Sequence, residues 1–115
     1  MATKIQPWES ENNTCPVKEF IESIKDPKAS AKIIRVLDLF EEKGLDFMLK
    51  SKFIDKFNEK DLYEIRIEFN KIQYRIIGAF KESKFYLLHG FIKKSQKTSK
   101  KDLKCAKERS KILKK

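Results

Sequence analysis

The sequence has few of the residues on which metal and phosphate sites depend. Its 115 residues include three glycines, two cysteines and one histidine. The glycines are isolated, which excludes a glycine-rich phosphate loop, and no nucleophile-elbow sequence of a serine hydrolase is present. One histidine and two distant cysteines do not supply the four ligands of a structural zinc site. We therefore expect no metal and no other cofactor.

Long apolar segments are also absent. No run of 18 apolar residues occurs, so we expect no membrane span. The first ten residues, MATKIQPWES, lack the apolar centre of a signal peptide. Without an export signal, Cys15 and Cys105 are predicted to be reduced thiols of a cytoplasmic protein.

Large apolar side chains are plentiful. Nine Phe, three Tyr and one Trp can fill one small core, and this content argues against disorder of the whole chain. The length is typical of one domain. We predict a single domain over residues 1–115.

The positive charge is concentrated at one end. The net charge is +10, and residues 91–115 carry 11 Lys or Arg against 2 Asp or Glu. Residues 1–90 are close to neutral, with 16 basic and 15 acidic residues. A basic end of this kind indicates a polyanionic partner. An acidic protein partner, or a solvated tail without a partner, remains an alternative.

Two helices are predicted in the first half of the chain. Pro16 suits the first position of one helix, with Thr14 or Cys15 as its cap, and Asp26 suits the cap of the next, which ends before Gly44. Apolar residues at helical spacing define the faces expected to be buried: Val17, Phe20, Ile21 and Ile24, then Ile33, Ile34, Leu37, Leu39 and Phe40. The two helices should form an antiparallel hairpin, followed by a partly packed connector over residues 45–61.

Strand patterns surround and follow these helices. A short edge strand is predicted near Lys4–Glu9, because Pro7 argues against a central strand. Three antiparallel strands joined by tight turns are predicted over residues 62–69, 72–80 and 85–94. The basic segment 95–115 contains Thr98-Ser99 and Asp102, a start resembling a capping box, and is predicted to form a helix.

Three stretches of sequence resemble the RelE/ParE superfamily of toxins from type II toxin–antitoxin systems, in particular its HigB-like, phage-derived branch. The first is WESEN running into PVKEFI (residues 8–21), and the second is LYEIRI followed by YRII (residues 62–77). The third, LLHGFIKKSQKT (residues 87–98), is the most specific. The resemblance covers roughly residues 4–113.

This resemblance implies a fold, an activity and partners. The fold is α+β, a RelE-like microbial RNase-type fold: a twisted antiparallel sheet of a short N-terminal strand and a three-stranded meander, packed by a helical hairpin, with a basic C-terminal helix. The implied activity is that of a ribosome-dependent mRNA endonuclease, which cuts mRNA in the ribosomal A site and inhibits translation. The implied partners are the ribosome, mRNA and a helix-turn-helix, HigA-like antitoxin in a hetero-oligomer.

Two arginines are the first catalytic candidates. Metal-free RNA cleavage needs cations that stabilise charge on the phosphorus as the 2′-hydroxyl attacks, and arginine binds phosphate oxygens bidentately. Arg66 lies opposite the Ile65/Ile67 face and matches a basic strand position of the relatives. Arg75 matches the arginine that holds the scissile phosphate in RelE-like relatives. Structural ion pairs are the alternative role for both.

Proton transfer has fewer candidates. His89 is the only histidine, a residue type whose side chain suits acid–base work. It shares a face with Leu87 and Phe91, so a core residue is the alternative. Lys93 and Lys94 should point to opposite faces, so one reaches the surface of Arg75. Lys94 is favoured, although a bulge would reverse the choice. Some relatives carry a Tyr or another acid–base group in the C-terminal helix, whereas this chain has none beyond Lys94, which leaves His89 or a lysine.

The remaining lysines are predicted to contact RNA. The set expected to bind mRNA or ribosomal RNA comprises Lys93, Lys97, Lys100, Lys101, Lys104 and Lys107. A solvated helix face is the alternative. Two other functions of the same fold also remain: poisoning of DNA gyrase by a ParE-like toxin, and non-catalytic binding of nucleic acid or the ribosome.

Overall fold

A computed structural model of the chain describes residues 2–58, 61–94 and 97–115. Its elements, in chain order, are β1 (Lys4–Pro7), α1 (Pro16–Ser23), α2 (Pro27–Lys43), α3 (Leu45–Lys50), β2 (Ile54–Lys56), β3 (Leu62–Phe69), β4 (Ile72–Lys81), β5 (Lys84–Lys93) and α4 (Lys100–Leu113). The expected α+β fold is confirmed. None of the helices in the described parts is long and apolar enough to cross a membrane.

The sheet has five strands in the order β1-β5-β4-β3-β2. The meander of β3, β4 and β5 is antiparallel, as predicted. The expectation of an entirely antiparallel sheet is wrong, because β1 pairs with β5 in parallel. The long intervening chain permits this arrangement, since parallel strands need an extended crossover rather than a tight turn. β1 is an edge strand, as its proline predicts.

The connector contains regular structure that its apolar content did not specify. Six of its residues form α3, and three form β2, which pairs antiparallel with β3. β2 pairs with only part of β3, through Tyr63 to Ile65. The part of the predicted connector at residues 59–60 lies outside the described residues, as do Ser95 and Gln96 of the third resembling stretch.

The helix boundaries follow their capping residues. Cys15 occupies the N-cap position of α1 and Pro16 its first turn. Asp26 caps α2 by accepting a hydrogen bond from the Lys28 backbone N–H at 2.9 Å. Gly44 ends α2 with a φ of 85°, a left-handed conformation that favours glycine.

The sheet separates two apolar cores. One core lies between the sheet and the first three helices and contains Ile33, Phe40, Ile65 and Ile76. The other lies under α4, with these residues: Trp8, Leu62, Ile77, Ala79, Leu88, Phe91 and Ala106. Ile34, expected on the buried face of α2, is instead 46% exposed.

A bulge in β5 determines which residues face α4. Ile77 pairs with His89 and Gly78 pairs with Leu87, so Leu88 is an extra residue between them. The alternation of side chains between the two faces of the sheet is therefore interrupted at Leu88. Leu87 packs in the first core, whereas Leu88 and Phe91 pack in the core under α4. Both cysteines are free.

Candidate functional site

Two arginines lie side by side on the α4 face of the sheet. Arg66 on β3 and Arg75 on β4 are direct cross-strand partners. The Arg66 side chain is 39% exposed, whereas that of Arg75 is only 9% exposed. Like charges placed directly opposite one another destabilise a sheet, so this pair requires compensation from its neighbours.

The compensation comes from a buried carboxylate. One carboxylate oxygen of Glu64, Oε1, lies 3.6 Å from Arg66 Nε and 3.7 Å from Arg75 Nε. Arg66 also donates to Asp55 at 2.9 Å, and Arg75 donates to Gln73 Oε1 at 2.7 Å. Both Nε atoms are nevertheless buried without a hydrogen-bond partner. Each guanidinium therefore keeps a donor for which the described residues provide no acceptor.

The surroundings of Arg75 are electrostatically mixed. Burial lowers the pKa of Arg75, the carboxylate of Glu64 opposes this change, and the charge of Arg66 adds to it. An arginine remains protonated under these conditions, so Arg75 is a buried cation with Glu64 as its nearest carboxylate.

The neighbours of Arg75 on β5 are fixed by the strand register. Phe91 is its direct partner, and Lys93 pairs with Gln73 two residues away on β4. Lys93 therefore shares the face of Arg75, and the preference for Lys94 is corrected. The preference for Lys94 assumed simple alternation along β5. The bulge at Leu88 shifts that alternation by one residue, so Lys93 and not Lys94 faces the side of Arg75. Lys94 follows the end of β5 and is exposed.

His89 lies on the same face, on the other side of Phe91. Its ring stacks on Phe91 with centroids 5.5 Å apart, and the expected shared face with Leu87 is wrong because of the bulge. His89 Nε2 lies 2.6 Å from Asp102 Oδ1, and Nδ1 lies 3.4 Å from Arg109. A neutral ring with its proton on Nε2 donates to the carboxylate, and its Nδ1 then accepts from the Arg109 guanidinium, which can only donate.

Asp102 connects this histidine to the start of α4. It accepts a hydrogen bond from the Ser99 hydroxyl at 2.5 Å, and its backbone N–H donates to the same hydroxyl. Burial raises the pKa of Asp102, but the hydrogen bonds from His89 and Ser99 outweigh this effect, so its pKa lies below the ordinary value. The predicted cap therefore also orients a histidine on the sheet.

Further polar contacts attach α4 and its preceding turn to the sheet. Thr98 donates to the second carboxylate oxygen of Glu64 at 2.6 Å. Arg109 donates to the carbonyl of Leu88 at 2.7 Å and lies over the Trp8 ring. The arginine pair and the histidine thus share one framework in which α4 is fixed against β5.

The predicted RNA-contacting lysines are distributed along this side of the chain. Lys93 is half-buried at the end of β5. Lys97 precedes α4 and is exposed, and Lys107 on α4 is half-buried. Lys100, Lys101 and Lys104 are exposed on the first two turns of α4. These lysines lie outside the buried cluster, and the set Lys97, Lys100, Lys101, Lys104 and Lys107 is called the basic rim below.

Sequence reasoning missed three members of the cluster. Glu64 was considered only as an ion-pair partner of Arg66, yet it is 3% exposed and contacts both arginines. Asp102 was identified only as a capping residue, and Arg109 was not singled out. Glu64 lies on the charged face of β3, next to Arg66, and this position could have indicated it. Nothing in the sequence specifies the docking of α4 that brings Asp102 and Arg109 to His89.

A model of the phage-derived protein Gp49-like family (DUF891) matches residues 19–111. The chain belongs to this Gp49-like family. The family is RelE-like and toxin-like, and its members typically pair with an antitoxin. The resemblance to RelE/ParE toxins is confirmed at this level. A comparison with curated proteins gave no match. All the candidate residues of this Gp49-like chain, from Arg66 to Lys107, lie inside the matched region.

Proposed function

We propose that this Gp49-like chain is a HigB-like toxin that acts as a ribosome-dependent mRNA endonuclease. The observation that carries the proposal is the pair Arg66 and Arg75, adjacent on β3 and β4, which share one carboxylate oxygen of Glu64. A phosphodiester has the charge and the oxygen geometry to accept hydrogen bonds from both guanidinium groups.

The arginines would act on the phosphate. The 2′-hydroxyl oxygen loses its proton and attacks the adjacent phosphorus, the bond to the 5′-oxygen breaks, and the leaving 5′-oxygen takes a proton from water, which gives a 2′,3′-cyclic phosphate and a 5′-hydroxyl end. Negative charge on the phosphoryl oxygens increases in the transition state. Arg75 is buried and held by Gln73, so it is preorganised for this charge. Arg66, which is more exposed, would bind a second oxygen.

His89 would move the proton. Asp102 accepts its Nε2–H, so Nδ1 is the atom that would take the proton of the 2′-hydroxyl, in exchange for its present contact with Arg109. His89 and Arg75 are diagonal neighbours across β5 and β4, a separation of about 7–8 Å between backbones in antiparallel sheets. Phe91 lies between the two side chains on this face, so a nucleotide that contacts both His89 and Arg75 would have to span the Phe91 ring. Asp102 is then a positioning residue, and Lys93 an additional cation beside the phosphate.

The basic rim would bind the ribosome. Lys97, Lys100, Lys101, Lys104 and Lys107 extend the positive charge from the arginine pair along α4. Contacts of lysine with phosphates provide affinity without sequence preference. They would place the arginines against mRNA that the ribosome already holds. The silencing partner would be a HigA-like, helix-turn-helix antitoxin, bound in a hetero-oligomer.

Primer extension on a reporter mRNA tests this function. The mRNA is translated in a purified system with the wild-type chain or with Arg75→Ala, and naked mRNA is treated in parallel. We expect new 5′ ends within codons only when ribosomes and the wild-type chain are both present. Intact mRNA together with growth arrest in cells would contradict the proposal and would favour gyrase poisoning or simple ribosome binding.

A further inference from the structure

A pocket opens at the edge of β3 beside the arginine pair. Before the first residue of β2, the Phe53 carbonyl accepts the Arg66 backbone N–H at 2.8 Å, and no strand of the described residues pairs with the edge of β3 at Glu68. The pocket there has a volume of about 310 Å³, within the range of small-molecule sites. Its polar lining consists mainly of Lys32, Ser51, Lys52, Arg66, Glu68 and Arg75.

The charges of this lining favour an anion. Two lysines and two arginines face a single lining carboxylate, that of Glu68. Lys32 donates to the backbone carbonyl of Glu68 and so fixes one wall. Lys52 is exposed. Arg75, whose side chain is 91% buried, also lines the pocket. The pocket is therefore lined by more cations than carboxylates.

The remaining lining residues suit a base rather than a bare phosphate. Phe53 lines the pocket, and its half-buried ring packs against the first core, so only its exposed part is available for stacking, an interaction open to every base. Glu68 is exposed, and its carboxylate can only accept hydrogen bonds. Guanine presents two adjacent donors, N1–H and the N2 amino group, on its Watson–Crick edge. Uracil presents one N–H flanked by two carbonyl oxygens, which a carboxylate repels.

We infer that this pocket is a nucleotide subsite that prefers guanine, with Glu68 as the residue that reads the base. Lys52 and the arginine pair would bind the phosphate of the same nucleotide, and Phe53 would stack on the base. The inference rests on the proposed RNA substrate and adds a preference at one position of it. Glu68 then determines specificity and takes no part in bond breaking.

Binding of nucleoside monophosphates to the ¹⁵N-labelled full chain at low ionic strength tests the subsite. We expect guanosine 5′-monophosphate to shift the backbone amides of residues 51–53 and 66–68, with an affinity about tenfold higher than that of uridine 5′-monophosphate. Glu68→Gln should remove that difference. Lys52→Ala should weaken both nucleotides equally, because it acts on the phosphate.

The control variant is Glu82→Gln, which neutralises an exposed carboxylate in the turn at the other end of β4. Glu82→Gln should leave the difference in affinity between guanosine and uridine monophosphate unchanged. Equal affinities of the two nucleotides for the wild-type chain would overturn the inference. So would an undiminished preference in Glu68→Gln, or inorganic phosphate binding as tightly as guanosine monophosphate.

The result separates the subsite from the proposed function. Nucleotide binding is measured on the free protein, whereas mRNA cleavage requires ribosomes. Base-selective binding without mRNA cleavage would remove the endonuclease proposal and leave the subsite. Cleavage of mRNA without base-selective binding would remove the subsite and leave the endonuclease proposal.

Discussion

At the scale of single residues, the arginine pair shows why a charged strand face can carry a function. Arg66 and Arg75 face each other across β3 and β4, and Glu64 lies close to both. One carboxylate oxygen shared between two guanidinium groups leaves donors unpaired. The ion pairs that a structural role predicts are therefore present, with one carboxylate shared between two cations.

Replacement of Arg75 by lysine tests the geometry rather than the charge. Lysine keeps a cation but cannot form two parallel hydrogen bonds to a phosphate. We expect Arg75→Lys to lower ribosome-dependent mRNA cleavage about 100-fold, the usual effect of losing one preorganised donor. The rate is measured by single-turnover primer extension. Arg35→Lys on the exposed face of α2 is the matched control, and equal activity of both variants would contradict the assignment.

The link between His89 and Asp102 predicts a dependence of stability on pH. The pKa of Asp102 is below its ordinary value in the folded chain. Its ionised form therefore stabilises the fold fully above the ordinary aspartate pKa of about 3.9, and this contribution is lost as the pH falls through the lower folded pKa.

Asp102→Asn should remove this dependence together with part of the cap of α4, at a cost of about 1 kcal/mol near neutral pH. Urea unfolding from pH 2 to pH 7 measures both effects. The free-energy difference between the wild-type chain and Asp102→Asn should shrink toward acid pH. A difference that stays constant across this range would show that the carboxylate charge contributes nothing.

At the scale of elements, one extra residue in β5 determines the composition of the site. Leu88 has no direct partner on β4, so Leu87 and His89 face opposite sides of the sheet. Simple alternation predicts the wrong partners for His89 and the wrong lysine beside Arg75. A bulge of this kind depends on packing against the neighbouring strand, which the sequence of β5 alone does not specify.

The packing of α1 on β5 can be tested at Gly90. A Cβ atom at this position would lie 2.4 Å from the Phe20 ring. Gly90→Ala should destabilise the fold by about 1–3 kcal/mol through this overlap. In a double variant with Phe20→Ala, the cost of Gly90→Ala should fall substantially. Urea unfolding of the four variants measures the coupling, and additive effects would show that the two residues do not compete for space.

At the scale of the whole molecule, charge is separated from the core. The first 90 residues are nearly neutral, and the excess of positive charge is carried by the last 25. That C-terminal segment forms α4, whose buried residues are only Ala106 and Ser110. Burial of a narrow apolar stripe leaves most of the helix free to carry lysines. The molecule can therefore bind a polyanion without weakening its core.

This separation predicts which lysines determine the salt dependence of RNA binding. Replacing Lys100, Lys101 and Lys104 by alanine should lower the slope of log affinity against log salt for a short single-stranded RNA by about 2, at 0.7 per lost phosphate contact. Alanine at three exposed lysines elsewhere, namely Lys18, Lys28 and Lys50, is the matched control. Equal slopes for the two triple variants would show that charge, and not its position on α4, governs binding.

The sequence by itself determined the α+β class, the caps at Asp26 and Ser99, the antiparallel meander and the location of the positive charge. Each depends on neighbours within a few residues, where periodicity, proline geometry and capping operate. Only the tertiary structure decided the parallel pairing of β1, the bulge at Leu88 and the docking of α4. These bring Glu64 to both arginines and Asp102 to His89, because contacts between distant segments depend on how whole faces pack.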